Sequence, residues 1–176
     1  VEACVTGRLI NSGQSCIAAK RFIVDSEIHD EFLKKFANLM QNKKLGNPKD
    51  ESVFIGPLAR KDLRINLHSQ VERSIELGAK NILGCSIPEG KGFYYPVSIL
   101  DDVKPGMPAF DEELFGPVAS VIGFKNFEEA ISLANASIYG LGAAVFSKDL
   151  NFAKMVAEKM IDSGTVQIND FVRSDP

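Results

Sequence analysis

Short apolar runs alternate with longer amphipathic segments along most of this 176-residue sequence. The clearest amphipathic segment spans residues 60–77, where branched apolar side chains recur at the spacing of one helix face. Strand-like runs separated by helices of about ten or more residues are typical of parallel strands joined by helical crossovers. We therefore predict an α/β fold with a mostly parallel, twisted sheet flanked by helices.

Local signals divide the chain into individual elements. Asn126 with Glu129 forms a capping box, Asp149 is a second helix cap, and Ser26 is a third candidate cap. The glycine-rich residues 89–92 are predicted to be a turn rather than a phosphate-binding loop, because no helix follows them. We predict strands over residues 21–24, 82–83, 94–100, 118–124, 143–146 and 165–168, and helices over residues 60–77 and after each of the three caps.

Composition excludes several classes of partner. The net charge is −3 and both signs are dispersed, so we expect no surface for nucleic acid or for an anionic membrane. No apolar stretch is long enough to span a bilayer. The three cysteines form no CxxC pair and no cluster with the two histidines, so we predict a reducing, cytoplasmic compartment and no bound metal.

Both ends of the sequence are expected to be cuts in a longer protein. The first residues have the apolar spacing of a helix but no N-cap before them, and residues 172–176 form no closing element. We therefore expect residues 1–176 to be one domain of a larger chain.

A stretch of small and polar residues, 11–16, separates the opening helix from the strand-like run that begins at Arg21. It holds a single thiol, Cys16, shortly after the flexible Gly13. A thiol attacks only as the thiolate, and main-chain amides exposed by a glycine kink stabilise a thiolate or an oxyanion. Cys16 is therefore a candidate nucleophile; the alternative is a small buried hydrophobic residue, the commoner role of a free cysteine.

Sequence blocks in a fixed order point to one family. Residues 10–24, INSGQSCIAAKRFIV, resemble the active-site segment of the aldehyde dehydrogenase superfamily, in which the Cys of an N-x-G-Q-x-C signature attacks the aldehyde. Residues 112–118, EELFGPV, resemble that family's E-E-x-F-G-P-V segment, and YGLGAAVFSKDL and GTVQIND resemble its later blocks. The resemblance covers the whole chain and implies the catalytic, Cys-bearing domain of that fold.

The resemblance implies roles for several residues. Cys16 adds to the aldehyde, Glu113 binds the ribose hydroxyls beside the nicotinamide, and Phe115 packs against the nicotinamide end. Both coenzyme roles make chemical sense, because a carboxylate accepts hydroxyl protons and an aromatic face packs on a flat ring. Gln14 and Ser15, which precede the nucleophile, are expected to contact the substrate.

Two further substrate positions are implied near the end of the sequence. Asn169 is expected beside the active site, and Ser174 is expected in the segment that lines the substrate entrance. Ser174 and the neighbouring Arg173 either bind an acid group of the substrate or are exposed loop residues, and the sequence leaves both interpretations open.

The implied reaction is oxidation of an aldehyde by NAD or NADP through a Cys16 thiohemiacetal and thioester, which water hydrolyses to a carboxylic acid. The family's general-base Glu, oxyanion-binding Asn and coenzyme-binding domain precede the nucleophile by more residues than this sequence has before Cys16. We therefore expect the 176-residue chain alone to be inactive. The resemblance also implies that the parent protein is a homodimer or homotetramer. Alternatives are a dehydrogenase that acylates coenzyme A and a non-catalytic structural homologue.

The implied substrate is succinate semialdehyde. Residues 55–80, IGPLARKDLRINLHSQVERSIELGAK, and the final NDFVRSDP most resemble the bacterial succinate-semialdehyde dehydrogenases. Ile10 stands where animal-type enzymes of this kind have a carboxylate-binding Arg, and Arg8, on another side of the helix, is a poor substitute. Ala18 stands where those enzymes have a second Cys, so we expect no redox switch beside the nucleophile.

Overall fold

The structure, a computed structural model, describes residues 1–173. Helices and strands alternate along most of this length, and a short 3₁₀ turn, Ile10–Gly13, follows the first helix. In chain order the elements are α1 (Glu2–Leu9), β1 (Arg21–Asp25), α2 (His29–Gln41), α3 (Lys61–Glu76), β2 (Lys80–Leu83), β3 (Ser98–Asp101), α4 (Pro108–Asp111), β4 (Val118–Phe124), α5 (Phe127–Asn135), β5 (Ala143–Val145), α6 (Leu150–Lys159) and β6 (Val166–Ile168).

The larger sheet has four strands in the order β1-β4-β3-β2. β1 and β3 both lie parallel to β4, with Phe22 opposite Val121 and Ile99 opposite Ala119. β2 runs antiparallel to β3 at the edge of this sheet, and β5 and β6 form a separate parallel pair. The predicted α/β fold with mostly parallel pairing is confirmed, although the strands form two sheets.

Two apolar clusters cover the central strand β4. Its residues 118–122 are all buried, as expected of a strand between two parallel neighbours. Phe36 of α2 belongs to the cluster that contains Val121, and Leu67 and Val71 of α3 belong to the cluster that contains Val118. Burial of each such side chain stabilises the fold by about 1.5–3 kcal/mol, and the predicted inward face of α3 is confirmed.

Two predicted helix caps are confirmed. Asn126 Oδ1 accepts the Glu129 N–H at 2.9 Å, and Asp149 Oδ1 accepts the N–H groups of Asn151 and Phe152 at 3.0 Å. α5 and α6 begin directly after these residues, because the side-chain oxygens satisfy amides that lack a partner within the helix.

The third predicted cap is wrong. The Ser26 N–H donates to the Phe124 carbonyl at 2.9 Å, which extends the pairing of β1 with β4 by one residue. α2 therefore begins only at His29, with no side-chain cap. The Ile28 N–H, which a Ser26 cap would accept, donates to the Asp25 carbonyl at 3.1 Å, and this explains why a good capping residue does not start the helix here.

Two predicted strands also differ from the structure. The strand expected over residues 94–100 is confined to β3, because Pro96 has no N–H to donate to a neighbouring strand. The strand predicted to be buried over residues 143–146 is only partly buried, and the Phe146 side chain is 49% exposed.

Two structural features bear on membranes and on metal ions. No helix within residues 1–173 is both long and apolar enough to cross a membrane. In that same part of the chain, no group of three or more His, Cys, Asp or Glu side chains is arranged to hold a metal ion.

Candidate active site

The Cys16 turn, residues 11–18, has an unusual backbone. Asn11, Ser12 and Gly13 have φ angles of 48°, 56° and 74°, in the left-handed region that glycine adopts without steric cost. At Gly13 a side chain does not fit, since a Cβ atom there would lie 2.2 Å from the Gly116 carbonyl oxygen. Such backbone strain persists only where surrounding contacts impose it.

Side-chain hydrogen bonds hold the strained residues in place. Asn11 Nδ2 donates to the Gln14 carbonyl at 2.9 Å, and Ser12 Oγ accepts the Gly56 N–H at 3.1 Å. The Gln14 side-chain oxygen accepts the Ala59 N–H at 2.8 Å. The loop before α3 therefore holds the turn through two hydrogen bonds. The substrate role of Gln14 stays a prediction, because its side-chain oxygen already accepts the Ala59 N–H.

Arg8 of α1 lies beneath this turn and is only 1% exposed. Its Nη2 donates to the Gly13 carbonyl at 2.9 Å, while Nε and Nη1 have no hydrogen-bond partner among the described residues. Burial lowers the pKa of Arg8 to about 10, and the nearby Glu113 carboxylate opposes that shift. Arg8 therefore remains charged at neutral pH, supports the turn from inside, and is not accessible to a substrate carboxylate.

Cys16 follows the strained residues and is exposed. The Ala18 N–H closes a tight turn around it by donating to the Ser15 carbonyl at 3.0 Å, and the Ser15 and Cys16 amides donate to no atom of the described chain. The other two cysteines are less accessible: burial raises the pKa of the Cys85 thiol to about 11 and also raises the pKa of Cys4. Cys16 is thus the exposed thiol of the three.

The Glu113 loop, residues 112–117, carries two adjacent carboxylates with different surroundings. The Glu112 carboxylate accepts hydrogen bonds from Gln70 at 2.8 Å and from Arg73 at 3.1 Å. Gln70 also donates to the Glu113 carbonyl at 3.2 Å. The Glu113 side chain is exposed and accepts no hydrogen bond from the part of the chain that the structure describes. Glu112 therefore anchors the loop, and Glu113 presents a free carboxylate.

The Cys16 turn and the Glu113 loop contact each other directly. Gly13 packs so closely on the Gly116–Pro117 peptide that an added Cβ would lie 2.4 Å from the Gly116 carbonyl carbon and 2.9 Å from the Pro117 nitrogen. Phe115 in the same loop is half-buried. A free carboxylate and a partly covered aromatic ring fit the ribose and nicotinamide end of the expected coenzyme.

Lys20, two residues after the Cys16 turn, bonds to the Glu113 loop, and no sequence pattern pointed to this residue. Its Nζ donates to the Phe110 carbonyl at 2.9 Å and also to the Glu112 carbonyl. Burial lowers the pKa of Lys20 to about 8, and the neighbouring Arg21 and Arg8 cations act in the same direction. Lysines are mostly exposed, so only the folded chain reveals that this one is partly buried and donates to two carbonyls.

Asn169 is used by its own loop. Its Oδ1 accepts the Ser147 N–H and its Nδ2 donates to the Ser147 carbonyl, both at 2.9 Å. The φ angle of Asn169 is 56°, a conformation that Asn tolerates better than most residues. Its role beside the active site stays a prediction, as does that of Ser15. Ser174 lies outside the described residues.

Arg173 is the last residue described, and it is near the helix that leads into the Cys16 turn. Its guanidinium pairs with Asp170 at 2.9 Å and lies 4.5 Å from the centre of the Phe171 ring. Phe171 packs on α1, where its Cβ lies 2.8 Å from the position of a Cβ added to Gly7. The segment that carries Arg173 is thereby held against α1.

Comparison with known proteins shows what the chain resembles. The model of the aldehyde dehydrogenase family matches residues 1–176. The chain is 44% identical over 175 residues to the succinate semialdehyde dehydrogenase (NAD(P)+) Sad of Escherichia coli (strain K12), an alignment that covers 99% of this chain and 38% of that protein. It is 46% identical over 169 residues to the succinate-semialdehyde dehydrogenase (NADP(+)) of Deinococcus radiodurans, covering 96% and 35%.

A solved structure extends the comparison to three dimensions. The chain superposes on lactaldehyde dehydrogenase from Escherichia coli with a TM-score of 0.94 and 39% identity, covering 99% of this chain and 36% of that one. The chain therefore spans little more than a third of the length of the relatives it matches.

Proposed function

Because this chain belongs to the aldehyde dehydrogenase family, we propose that it supplies the nucleophile and the nicotinamide-side contacts of an NAD- or NADP-dependent aldehyde dehydrogenase. The observation that carries the proposal is the packing of Gly13 on Gly116. This contact joins the segment of an exposed thiol, Cys16, to the segment of an exposed carboxylate, Glu113. The Glu113 carboxylate has no hydrogen-bond partner in the described chain.

Cys16 performs the covalent step. Its thiolate attacks the aldehyde carbon, a C–S bond forms, and the carbonyl π pair moves to the oxygen, which takes up a proton to give a thiohemiacetal. The free amides of Ser15 and Cys16 are the local donors for charge on that oxygen. Loss of a hydride from carbon and of the hydroxyl proton leaves a Cys16 thioester. Water cleaves its C–S bond, releasing the carboxylic acid and the thiol.

Glu113 and Phe115 hold the coenzyme at its reactive end. The Glu113 carboxylate accepts hydrogen bonds from two ribose hydroxyls, and the Phe115 ring packs on the nicotinamide side. When bound, NAD or NADP accepts the hydride. Glu112 contributes indirectly, since its bonds to Gln70 and Arg73 fix the loop.

The remaining machinery belongs to other parts of the full-length protein. We assign to them the general base, the oxyanion-binding Asn and the coenzyme-binding domain, with residues 1–176 as the Cys-bearing domain. The coverage of only 38% of the Escherichia coli relative supports this division. A homodimer or homotetramer in the cytoplasm is the expected state of the parent protein.

Succinate semialdehyde is the proposed substrate. Two relatives at 44% and 46% identity carry that name, whereas the same fold at 39% identity is that of a lactaldehyde dehydrogenase. Arg173, with Ser174 beside it, is the candidate anchor for the distal carboxylate, because its guanidinium already binds one carboxylate, that of Asp170.

A coenzyme-reduction assay on the full-length protein tests the activity. NADH or NADPH formation is measured with succinate semialdehyde and with butyraldehyde, a neutral aldehyde of the same chain length. We expect a higher kcat/KM for succinate semialdehyde and no turnover in Cys16→Ala. Formation of an acyl-CoA when coenzyme A is added would identify the acylating alternative. Failure to reduce either coenzyme with any aldehyde would overturn the proposal.

The substrate anchor is tested separately with Arg173→Ala and Ser174→Ala. Hydrogen bonds to a charged group contribute about 1.5–3 kcal/mol, so losing one lowers kcat/KM for succinate semialdehyde roughly 10- to 100-fold. The value for butyraldehyde is expected to stay unchanged. Equal losses with both aldehydes would show that the two residues do not recognise the carboxylate.

A further inference from the structure

The cations that flank the nucleophile bind main-chain carbonyls rather than carboxylates. Arg8, Lys20 and Arg21 each fasten the nucleophile segment to a different part of the fold, and a charged donor makes such bonds stronger than neutral ones. The acceptors are Gly13 for Arg8, Phe110 and Glu112 for Lys20, and Leu133, Ala134 and Ala136 for Arg21.

Lys20 is the cation that links the chain just after the Cys16 turn to the Glu113 loop. Its main chain is fixed on β4, because the Ser120 N–H donates to the Lys20 carbonyl at 3.0 Å. From there its Nζ reaches the carbonyls of Phe110 and Glu112, which lie 90 and 92 residues away in the sequence. The centre of the Tyr139 ring lies 5.4 Å from the same Nζ, within the range of a cation–π contact.

The hydrogen bond from Lys20 to the Glu112 carbonyl restrains the position of the next residue, Glu113. A carbonyl and the following N–H belong to one planar peptide unit, so fixing the Glu112 oxygen fixes the peptide that leads into Glu113. Lys20 itself lies four residues after Cys16. One ammonium group therefore connects the backbone of the free carboxylate to the backbone of the exposed thiol.

We propose that Lys20 is a positioning residue that sets the distance between the Glu113 carboxylate and the Cys16 thiol. The role rests on the proposed function, in which these two groups hold the coenzyme and the substrate. Catalysis depends on this distance, because a displacement of about 1 Å costs about 100-fold in rate. If Lys20 only filled space, its ammonium group would have no purpose, since a methionine fills similar space without the cost of burying a charge.

The first test needs neither coenzyme nor substrate. Lys20→Met in the full-length protein removes both hydrogen bonds and keeps much of the side-chain volume, and Lys154→Met is the matched control because Lys154 is exposed on α6. Amide hydrogen exchange is followed in peptides covering residues 110–117. We expect exchange there to be about tenfold faster in Lys20→Met and unchanged in Lys154→Met, while α2 is unaffected in both.

The second test separates positioning from a general loss of structure. Calorimetric titration with NAD and NADP and steady-state kinetics are expected to show about tenfold weaker binding and about 100-fold lower kcat in Lys20→Met. Alkylation of Cys16 by iodoacetamide is expected to match the Lys154→Met control. Lys20→Arg, which keeps the charge and the donors, is expected to recover most of the lost kcat. Lys20→Gln, with one amide donor group, is measured in parallel in case Lys20→Met does not fold.

The outcomes distinguish the two proposals. Exchange, binding and kcat equal to those of Lys154→Met would overturn the role of Lys20. A wild-type protein that binds NAD or NADP and oxidises no aldehyde would overturn the proposed function, and hydrogen exchange and coenzyme binding would still decide whether Lys20 positions Glu113.

Discussion

Two cysteine-bearing turns of this fold have similar backbones and opposite surroundings. Residues 11–13, just before Cys16, are all left-handed, and Cys85 and the preceding Gly84 are left-handed as well, with φ of 65° and 67°. The Cys16 thiol is exposed, whereas Cys85 is only 6% exposed and its Sγ donates to the Leu83 carbonyl at 3.3 Å. A left-handed backbone beside a cysteine is therefore not enough to identify a nucleophile.

The packing partner decides which way each thiol faces. Gly13 lies on Gly116, in the loop that carries the free carboxylate, and the chain continues from there to an exposed cysteine. Gly84 lies against the Val97 carbonyl and the Ser98 hydroxyl at the start of β3, so the thiol that follows enters the core. Left-handed residues thus precede an exposed thiol in one turn and include a buried thiol in the other.

The largest expected difference between the two turns is the effect on kcat of replacing each cysteine by alanine. Cys16→Ala in the full-length protein is expected to lower kcat at least about 10,000-fold, since losing a nucleophile leaves only binding and electrostatic contributions. Cys85→Ala is expected to leave kcat unchanged and to lower the free energy of unfolding by about 1 kcal/mol through lost burial. Coenzyme-reduction kinetics and urea unfolding measure both effects. Similar losses of kcat in the two variants would remove the functional distinction between the turns.

Alkylation sharpens the comparison without requiring turnover. At pH 8 a thiol with the pKa of Cys85, about 11, is ionised in only about one molecule in 1,000. We therefore expect iodoacetamide to label Cys16 and to leave Cys85 and Cys4 largely unmodified, as measured by peptide mass spectrometry. Raising the pH toward 11 is expected to increase the Cys85 thiolate about tenfold per unit. Equal labelling of Cys16 and Cys85 at pH 8 would contradict the assignment.

Sequence periodicity predicted the elements whose formation depends on neighbouring residues. The apolar face of α3 and the Asn126 cap were predictable because both arise within one turn or face of a helix. Ser26 and Phe146 were mispredicted because residues distant in the sequence decide their surroundings. The Ser26 N–H donates to Phe124 of β4, and Phe146 follows the two-stranded sheet, which leaves its side chain exposed.

The site shows the same limit. Family resemblance identified Cys16 and Glu113 as separate motifs, but their contact joins segments about a hundred residues apart, and spacing carries no information about it. Lys20 and Arg8 act through main-chain carbonyls, which every residue possesses. The residue types at the acceptor positions therefore carry no sequence signal for the roles of Lys20 and Arg8.

Adding one methyl group at each turn glycine compares their surroundings directly. An added Cβ would lie 2.2 Å from the Gly116 oxygen at Gly13 and 2.4 Å from the Val97 oxygen at Gly84. We expect Gly13→Ala and Gly84→Ala each to lower the free energy of unfolding by about 3 kcal/mol, through overlap with fixed backbone and a positive φ. Gly106, with φ of 93° and open space around it, is the control; its Ala variant is expected to lose about 1 kcal/mol.

Kinetics then distinguish the two destabilised variants. Gly13→Ala is expected to lower kcat about 100-fold below the wild type at a temperature where it is folded, because it moves Cys16 away from the Glu113 loop. Gly84→Ala is expected to keep the wild-type kcat. Unfolding curves and initial rates give both quantities, and a normal kcat in folded Gly13→Ala would show that the contact with Gly116 is not what aligns the site.

The smallest expected effects come from the serine hydroxyls that hold the two turns. Ser12 Oγ accepts the Gly56 N–H at 3.1 Å, and Ser98 Oγ accepts the Cys85 N–H at 2.9 Å. Replacing either serine by Ala leaves an amide unpaired and is expected to lower the free energy of unfolding by about 1–2 kcal/mol. Urea unfolding of Ser12→Ala and Ser98→Ala measures this loss.

Of these two hydrogen bonds, only the one made by Ser12 is expected to affect kcat when it is removed. Ser12→Ala frees the Cys16 turn from the loop before α3 and is expected to lower kcat about tenfold, the rate equivalent of 1.4 kcal/mol. Ser98→Ala breaks a bond that serves a buried thiol, so kcat is expected to stay at the wild-type value. Equal losses of kcat would mean that the main sheet transmits disturbances between the turns, and the exposure of Cys16 would then not be enough to assign the activity to its turn.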